Sequence, residues 1–263
     1  MRNRSPDLWT AWFCCSALLI AAVGGCTPGG DDGPAVSPPA SDQGAPAEVA
    51  AARPPAVEPP RSTPDAPEGF VPIRLTDCRV FSSSQAPGAG TWSADDTTIR
   101  CSGQPRGYLY TKKPYRNFTL HCDFRFRPPD DLEPAKRELC NTGFLIYVTE
   151  PHKQWPRSLE VQGRHDQMAA IKANGGASEP ELALHDEAAR PEVRKPVGEW
   201  NSIEIVSRDG TLTARLNGTV ICESGPTGLR EGPIGLQSEG VAVEFRHLRI
   251  REEPSADDQR AEQ

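Results

Sequence analysis

Apolar and polar side chains alternate from residue 117 to residue 126, and this alternation is the clearest structural signal in the chain. One set of positions is Phe118, Leu120, Cys122, Phe124 and Phe126, and the intervening set is Asn117, Thr119, His121, Asp123 and Arg125. Successive side chains of a β-strand point to opposite sides, so a period of two places each set on one face. The pattern predicts a half-buried strand with a polar outer face.

Short segments of the same kind follow along the chain, separated by residues typical of turns. Gly143 to Val148 is predicted to be one such strand, and Arg208-Asp209-Gly210 and Asn217-Gly218 are hairpin signals. The last strand ends near Ile250, and its alternation slips near His247, which predicts a β-bulge. Regularly spaced strands with hardly any helical stripe predict an all-β fold, a sandwich or jelly roll.

Two segments of this region do not alternate. Arg127 to Leu139 is rich in proline and charge, which predicts a long hairpin loop. Glu179 to Arg190 places Leu182 and Leu184 in a polar stretch, which favours a helical turn or a loop. Trp200 and Phe245 are expected to pack in the core.

The amino-terminal residues have the composition of an export signal. Arg2 and Arg4 precede an almost wholly apolar stretch from Leu8 to Val23, which is too short for a membrane span and is followed by Gly24-Gly25. Val23-Gly24-Gly25-Cys26 resembles a bacterial lipobox, which implies that residues 1–25 are a lipoprotein signal peptide and that Cys26 is lipidated. A plain signal peptide followed by a chance cysteine is the alternative.

Composition divides the rest of the chain into a tether, one domain and a tail. Residues 26–67 are rich in proline and alanine and nearly lack large apolar side chains, so they are predicted to be a disordered tether. Residues 68–252 are enough for one domain, and residues 253–263 are a charged tail predicted to be disordered. We expect an exported protein, lipid-anchored to the bacterial cell envelope on the periplasmic or surface side of the outer membrane.

Charge and cysteine content exclude some function classes. The formal net charge of −7, without a lysine and arginine stripe, argues against nucleic-acid binding. The predicted domain contains five cysteines, which allow at most two disulfides whose pairing the spacing does not reveal: Cys78, Cys101, Cys122, Cys140 and Cys222. No pair of cysteines or histidines has zinc-finger spacing.

The segment from Trp155 to Asp166 has the highest density of candidate chemistry. Leu159 and Val161 alternate with Glu160 and Gln162, so the carboxylate and the amide share a face of one strand. The strand ends in the titratable run Gly-Arg-His-Asp at residues 163–166. Two interpretations remain open: a solvated strand face that runs into a charged turn, and a sugar-binding or acid/base cluster.

Several motifs in a fixed order carry a family resemblance. They are Asn141-Thr142-Gly143, the run from Trp155 to Gly163, Lys195 to Asn201, Leu216-Asn217-Gly218, Glu231 to Gly240 and Val243 to Arg246. In this order they resemble the DUF1080 family, the 3-keto-disaccharide hydrolase domain, also described as a 3-keto-glucoside 1,2-lyase/3-keto-2-hydroxy-glucal hydratase domain. The resemblance runs over nearly the whole domain and implies a concanavalin A-like jelly-roll β-sandwich.

The resemblance also implies a reaction. A ketone at C3 of a glucosyl unit acidifies the C2–H bond; a base removes that proton, the group at C1 leaves by β-elimination, and water then adds to the glucal. Such a site needs a base, an acid and an electrophile near O3. We assign these roles to His165 or Glu160 as base, Asp166 as the second acid/base group, and Arg164 or a divalent metal at the oxyanion.

The remaining candidates are binding residues and alternative roles. Gln162 and Asn141 would orient sugar hydroxyls, and Trp155 and His121 are further candidates for substrate contact. Glu160, His165 and Asp166 could instead bind a metal together. The expected partner is an oligosaccharide or 3-keto-glycoside, and the rival functions are a non-catalytic lectin-like glycan-binding module and a structural envelope protein.

Overall fold

The computed structural model describes residues 67–84 and 90–254. The predicted signal peptide, Cys26, the tether up to residue 66 and the tail from residue 255 lie outside the described residues. The described part is an all-β jelly-roll sandwich of two antiparallel sheets with few helices. None of the described helices is long and apolar enough to cross a membrane.

The first sheet has nine strands. In chain order they are β1 (Val71–Pro72), β3 (Trp92–Ala94), β4 (Thr98–Cys101), β6 (Phe118–Phe126), β10 (Leu182–His185), β11 (Asn201–Arg208), β12 (Thr211–Leu216), β13 (Thr219–Ser224) and β15 (Val243–Glu252). Their order in the sheet is β10-β13-β12-β11-β6-β15-β4-β3, and β1 pairs with β15 outside this path.

The second sheet has six strands and carries the candidate site. It is formed by β2 (Cys78–Ser82), β5 (Gly107–Thr111), β7 (Gly143–Ile146), β8 (Ser158–Gln162), β9 (Ile171–Asn174) and β14 (Gly235–Ser238), in the order β2-β5-β14-β7-β8-β9. Two short α-helices, α1 (Pro134–Arg137) and α2 (Ala189–Val193), and 3₁₀ turns at Leu75–Asp77 and His165–Gln167 lie between strands.

The core lies between the sheets, where alternation predicts it. The apolar face of β6 is buried at every position, as the period of two requires. Phe144 of β7 meets Phe124 and Phe245 from the first sheet edge-on, at ring-centroid distances of 5.5 and 6.3 Å. Edge-to-face contacts are a favourable arrangement for aromatic rings. Leu159 and Val161 of β8 enter the same core.

The predicted hairpins and the bulge are confirmed. Asp209 and Gly210 join β11 to β12, and Asn217 and Gly218 join β12 to β13, each pair with two positive φ angles. Consecutive positive φ angles define the type I′ turn, whose twist matches that of the flanking strands. The bulge in β15 lies at His247, where φ is 52° and the pairing with β6 shifts.

Three expectations are corrected, and the open question of the cysteine pairing is answered. The segment from Glu179 to Arg190 contains an edge strand, β10, whose exposed Leu182 and Leu184 gave no sign of a half-buried strand. The loop from Arg127 to Leu139 contains helix α1. Trp200 is not in the core: it lies between the guanidinium groups of Arg125 and Arg246, 4.4 and 4.1 Å from its ring. All five cysteines of the described domain are free thiols.

Candidate active site

The candidate site lies on the outer face of the second sheet, where β7, β8 and β14 are neighbours. Because Leu159 and Val161 point into the core, Glu160 and Gln162 point to the outer face, as the alternation predicts. The pairing with β7 places Gly143 opposite Gln162. Both polar side chains are nonetheless buried, with Glu160 only 4% exposed. The interpretation as a solvated strand face is therefore wrong.

Gly143 makes the space in which these groups meet. A Cβ atom at this position would overlap Oε1 of Glu160, on the strand at one side, and Oε1 of Gln237, on the strand at the other. Glycine is thus needed here for close approach of two side chains and not for an unusual φ angle. The Asn-Thr-Gly motif contributes this glycine to the site.

The environment of Glu160 disfavours its charged form. Burial raises the pKa of its carboxyl group to about 7, and the nearby carboxylate of Glu239 adds to the rise. The ammonium group of Lys172, on the neighbouring strand β9, and the amide of Gln237 oppose the rise only in part. Nζ of Lys172 lies 3.8 Å from Oε2 of Glu160. A carboxyl group with such a pKa can exchange a proton near neutral pH.

Unpartnered acceptor atoms surround this carboxyl group. Asn141 donates from Nδ2 to Oε2 of Glu239 at 2.5 Å, while its own Oδ1 is buried without a hydrogen-bond partner. Oε1 of Gln237 is also buried without a partner. Leaving buried polar atoms unpaired costs about 1–3 kcal/mol each. The arrangement therefore favours a ligand rich in hydroxyl donors.

Gln162 shares the face but has a structural contact of its own. Its Oε1 accepts the backbone N–H of Arg164 at 2.9 Å, which fixes the turn that follows β8. At the next position, Gly163 packs so closely on Thr142 that a Cβ would overlap it. The chain therefore leaves the outer face directly after Gln162.

This turn separates Arg164, His165 and Asp166 from Glu160. The ring of His165 is buried, and its two nitrogens lie 3.0 Å from Oε2 of Glu138 and 3.1 Å from the carbonyl oxygen of Lys195. With both nitrogens occupied by oxygen atoms, His165 has no free position for substrate.

Arg164 and Asp166 are occupied with each other. They form a two-pronged ion pair with N–O distances of 2.6 and 2.9 Å. The expected cluster of Glu160 with His165, Asp166 and Arg164 is thus not formed. Among the described residues no group of three or more histidine, cysteine, aspartate or glutamate side chains could hold a metal ion, so Glu160, His165 and Asp166 do not form a metal site.

The two remaining candidates lie apart from one another. Trp155 is 46% exposed in the loop between β7 and β8. His121 lies on the outer face of the first sheet, where its Nε2 is 3.5 Å from Oδ1 of Asp123. That face is on the opposite side of the sandwich from Glu160, so His121 does not join the site.

Sequence reasoning missed three residues of the site. Lys172 lies on β9, whose mixed composition gave no strand signal, and it reaches Glu160 by cross-strand pairing. Gln237 and Glu239 belong to the Glu231 to Gly240 motif, which entered the sequence analysis only as part of the family resemblance. The one available signal was that Gln237 follows Leu236, a core residue, in a strand, so that the amide of Gln237 points away from the core.

Comparison with known proteins identifies the family and agrees with the fold. The model of the 3-keto-alpha-glucoside-1,2-lyase-like domain matches residues 81–251. The chain belongs to this family. The matched region contains every strand from β3 to β14, Glu160 and the six neighbouring residues described above: Asn141, Gly143, Gln162, Lys172, Gln237 and Glu239.

Two solved structures show the same fold at low sequence identity. Both come from Parabacteroides distasonis, are provisionally described as glycosyl hydrolases and share 20% identity with the chain. The alignment with the first covers 70% of this chain and 99% of the matched chain, with a TM-score of 0.50. The alignment with the second covers 71% of this chain and 95% of the matched chain, with a TM-score of 0.51. The carbohydrate-binding module CBM66 from Bacillus subtilis is 10% identical, and its alignment covers 66% of this chain and 95% of the module, with a TM-score of 0.44. A search of curated proteins found no match.

Proposed function

We propose that this member of the 3-keto-alpha-glucoside-1,2-lyase-like family cleaves 3-keto-glycosides by β-elimination followed by hydration. The observation that carries the proposal is the buried carboxyl group of Glu160, with its pKa raised to about 7 beside unpartnered acceptors. A base of this strength matches a C2–H bond that a neighbouring ketone has acidified.

Glu160 is the base in this reaction. Its carboxylate takes the C2 proton, the electron pair moves towards C3, and negative charge develops on the C3 oxygen. The Lys172 ammonium group, 3.8 Å from the carboxylate, is a nearby cation that can stabilise this charge. The C1–O bond then breaks, the leaving oxygen takes up a proton, and water adds across the C1=C2 bond to complete a net hydrolysis.

Neighbouring side chains orient the sugar. The unpartnered oxygen atoms of Asn141 and Gln237 would accept hydrogen bonds from sugar hydroxyls, which removes the cost of burying them unpaired. Glu239 is bonded to Asn141 and contributes to the raised pKa of Glu160. It is the second carboxylate of the site. Glu160, once it has taken the C2 proton, is the candidate donor of that proton to the leaving oxygen.

The test is turnover of a 3-keto-disaccharide followed by NMR, beside the unoxidised disaccharide. The purified protein should release the aglycone and a 2-hydroxy-glucal or 3-keto-glucose from the oxidised substrate only. Glu160→Gln should lower kcat by at least about 1,000-fold, because it removes the base and keeps the shape. The control Glu204→Gln makes the same change of a carboxylate to an amide on the first sheet, and it should leave kcat unchanged. Equal turnover by Glu160→Gln would contradict the proposal.

A lectin-like glycan-binding module is the second candidate. The same unpartnered acceptors and the exposed ring of Trp155 would serve binding without turnover. In that case neither sugar is cleaved, binding is saturable, and Trp155→Ala weakens it. A structural envelope protein would bind neither sugar.

We also propose that the protein is exported and lipid-anchored through Cys26. The support is the sequence Val23-Gly24-Gly25-Cys26 after an apolar stretch. Labelling with a radioactive or clickable fatty acid in a bacterial host should mark the wild-type chain and not Cys26→Ala. Equal labelling of both would rule out this anchor.

A further inference from the structure

A cleft lies at the edge of the first sheet, apart from the Glu160 site. Its walls are β1 with the 3₁₀ turn that follows it, the turn between β3 and β4, and the bulge of β15. Its volume is about 700 Å³, which is within the range of small-molecule sites. None of the residues that surround Glu160 lines it, so the proposed lyase reaction does not use this space.

The bulge of β15 gives the cleft an unusual concentration of basic side chains. Between the pairs Arg246–Asp123 and Arg249–His121, β15 has two residues where β6 has one. His247 takes a positive φ of 52°, a conformation that non-glycine residues rarely adopt. As a result Arg246 and His247, which are consecutive, both donate to Oδ2 of Asp123 at 3.1 Å. Bulges often re-aim side chains beside functional sites.

Acidic neighbours offset only part of the positive charge that lines the cleft. Asp123 is already engaged by Arg246 and His247. Asp95 is engaged by Arg100 at 2.6 Å and by the backbone N–H groups of Thr97 and Thr98. Among the described residues that line the cleft, Asp96 is the one acidic group not engaged in these contacts, and it lies exposed in the β3–β4 turn.

Two guanidinium groups of the lining have no acidic partner among the described residues: Arg74 and Arg249. The guanidinium of Arg249 lies 5.5 Å from the ring of Phe70, and its Nε is buried without a hydrogen-bond partner. Stacking on an aromatic ring orients a guanidinium group without using its N–H donors. An oxyanion is the partner that such an edge fits best, because it accepts two parallel hydrogen bonds.

We infer that this cleft is a second ligand site, which takes an acidic saccharide whose carboxylate or sulfate group is bound by Arg249 and Arg74. The other lining groups fit the rest of such a ligand. His247, whose Nδ1 is held by Asp123, and Thr76 also line the cleft, and their Nε2 atom and hydroxyl group would serve sugar hydroxyls. The apolar side chain of Leu75 contacts the pyranose ring. The site is independent of the Glu160 site and lies on the other sheet.

Calorimetric titration of the purified full-length protein tests this inference. The probes are D-glucuronate, D-glucose and inorganic sulfate. Glucuronate should bind saturably and at least about tenfold more tightly than either of the others, because it combines the oxyanion with the sugar ring. Arg249→Gln and Arg74→Gln should each weaken glucuronate binding by at least about tenfold. The matched control is Arg208→Gln, at an exposed arginine that does not line the cleft.

Different outcomes test the existence of the second site, the identity of its ligand and the proposed lyase reaction. Unchanged glucuronate affinity in both cleft variants, with thermal unfolding like that of the wild type, overturns the site. Sulfate binding as tight as glucuronate binding overturns the saccharide. Turnover of the 3-keto-disaccharide should be the same in Arg249→Gln, Arg74→Gln and the wild type, so a failure of either proposal is visible without the other.

Discussion

Glu160 and Asp123 lie on the two outer faces of the same sandwich, each beside basic side chains. Burial would raise the pKa of both carboxyl groups. At Asp123, hydrogen bonds from His121, Arg246 and His247 reverse this effect and hold the pKa well below its usual range. At Glu160, Lys172 and Gln237 reverse it only in part, and the pKa remains raised to about 7.

The difference lies in the number and geometry of the donors. Asp123 has two direct hydrogen bonds at 3.1 Å and a third basic group at 3.5 Å, so its anion is solvated by the protein and is a weak base. Glu160 has one ammonium group at 3.8 Å and a second carboxylate nearby. The same chemical group is therefore a fixed structural anion on one face and a proton acceptor on the other.

After loss of the Glu160 carboxylate itself, the largest expected effect comes from closing the space beside it. Gly143→Ala places a methyl group where Oε1 of Glu160 and Oε1 of Gln237 now meet, so both side chains must move. We expect kcat/KM for the 3-keto-disaccharide to fall at least about 100-fold, because small misplacements of catalytic groups have effects of this size. Steady-state kinetics measures this. Gly228→Ala, where a Cβ meets nothing within 4 Å, is the control, and an equal loss there would contradict the explanation.

Asp123→Asn should separate stability from activity. The change leaves Arg246 and His247 without their anion, and we expect the free energy of unfolding to fall by about 2–3 kcal/mol. Turnover should stay within about threefold of the wild type, because Asp123 lies on the other sheet. Denaturant unfolding and steady-state kinetics give the two numbers. Asp131→Asn, at an exposed loop position, should change neither, and a large loss of turnover in Asp123→Asn would break the contrast between the faces.

Glu160→Gln should be more stable than the wild type at alkaline pH. The folded-state pKa of Glu160 is raised from 4.5 to about 7, so the folded state prefers the protonated form. The resulting loss of stability is absent below about pH 4.5, grows as the pH rises, and is complete above about pH 7. We expect the variant to be about 2–3 kcal/mol more stable at pH 8.5 and equal to the wild type at pH 4. Parallel stability curves from pH 4 to 8.5 would contradict the raised pKa.

The smallest expected effect is the shift in the pH profile of Lys172→Gln. Lys172 lowers the pKa of Glu160, and its removal should raise that pKa. Because the lysine side chain is 44% exposed and screened by water, we expect the acidic limb of the kcat/KM–pH profile to move up by only about 0.5 pH unit. A shift to lower pH would contradict the assigned roles of the two residues.

The sequence predicted the scaffold well because the scaffold depends on local rules. The alternation in β6, the two I′ turns and the bulge at His247 each follow from period, turn chemistry or a slip in register. The edge strand β10 was missed because an exposed edge has no buried face to produce a pattern. Strand β9, which places Lys172 in the site, was missed because it is a short edge strand with a single buried apolar side chain, Ile171.

The site was predicted only where one strand determines it. Glu160 and Gln162 share a face because they are two residues apart. Burial of Glu160, its contact with Gln237 and the role of Gly143 depend on pairing between strands that are far apart in sequence. His165 and Asp166 were misplaced because the turn after Gln162 directs them towards Glu138 and Arg164, and proximity in sequence did not give proximity in space.

The most direct test of this contrast is a carboxyl ¹³C NMR titration of the purified protein. The resonances of Glu160 and Asp123 are assigned with Glu160→Gln and Asp123→Asn and followed from pH 3 to 9. We expect Glu160 to titrate with a midpoint near pH 7 and Asp123 to remain ionised throughout, because its hydrogen bonds keep its pKa below this range. A Glu160 midpoint near its usual value of about 4.3, together with a similar midpoint for Asp123, would contradict the assignment of Glu160 as the buried base.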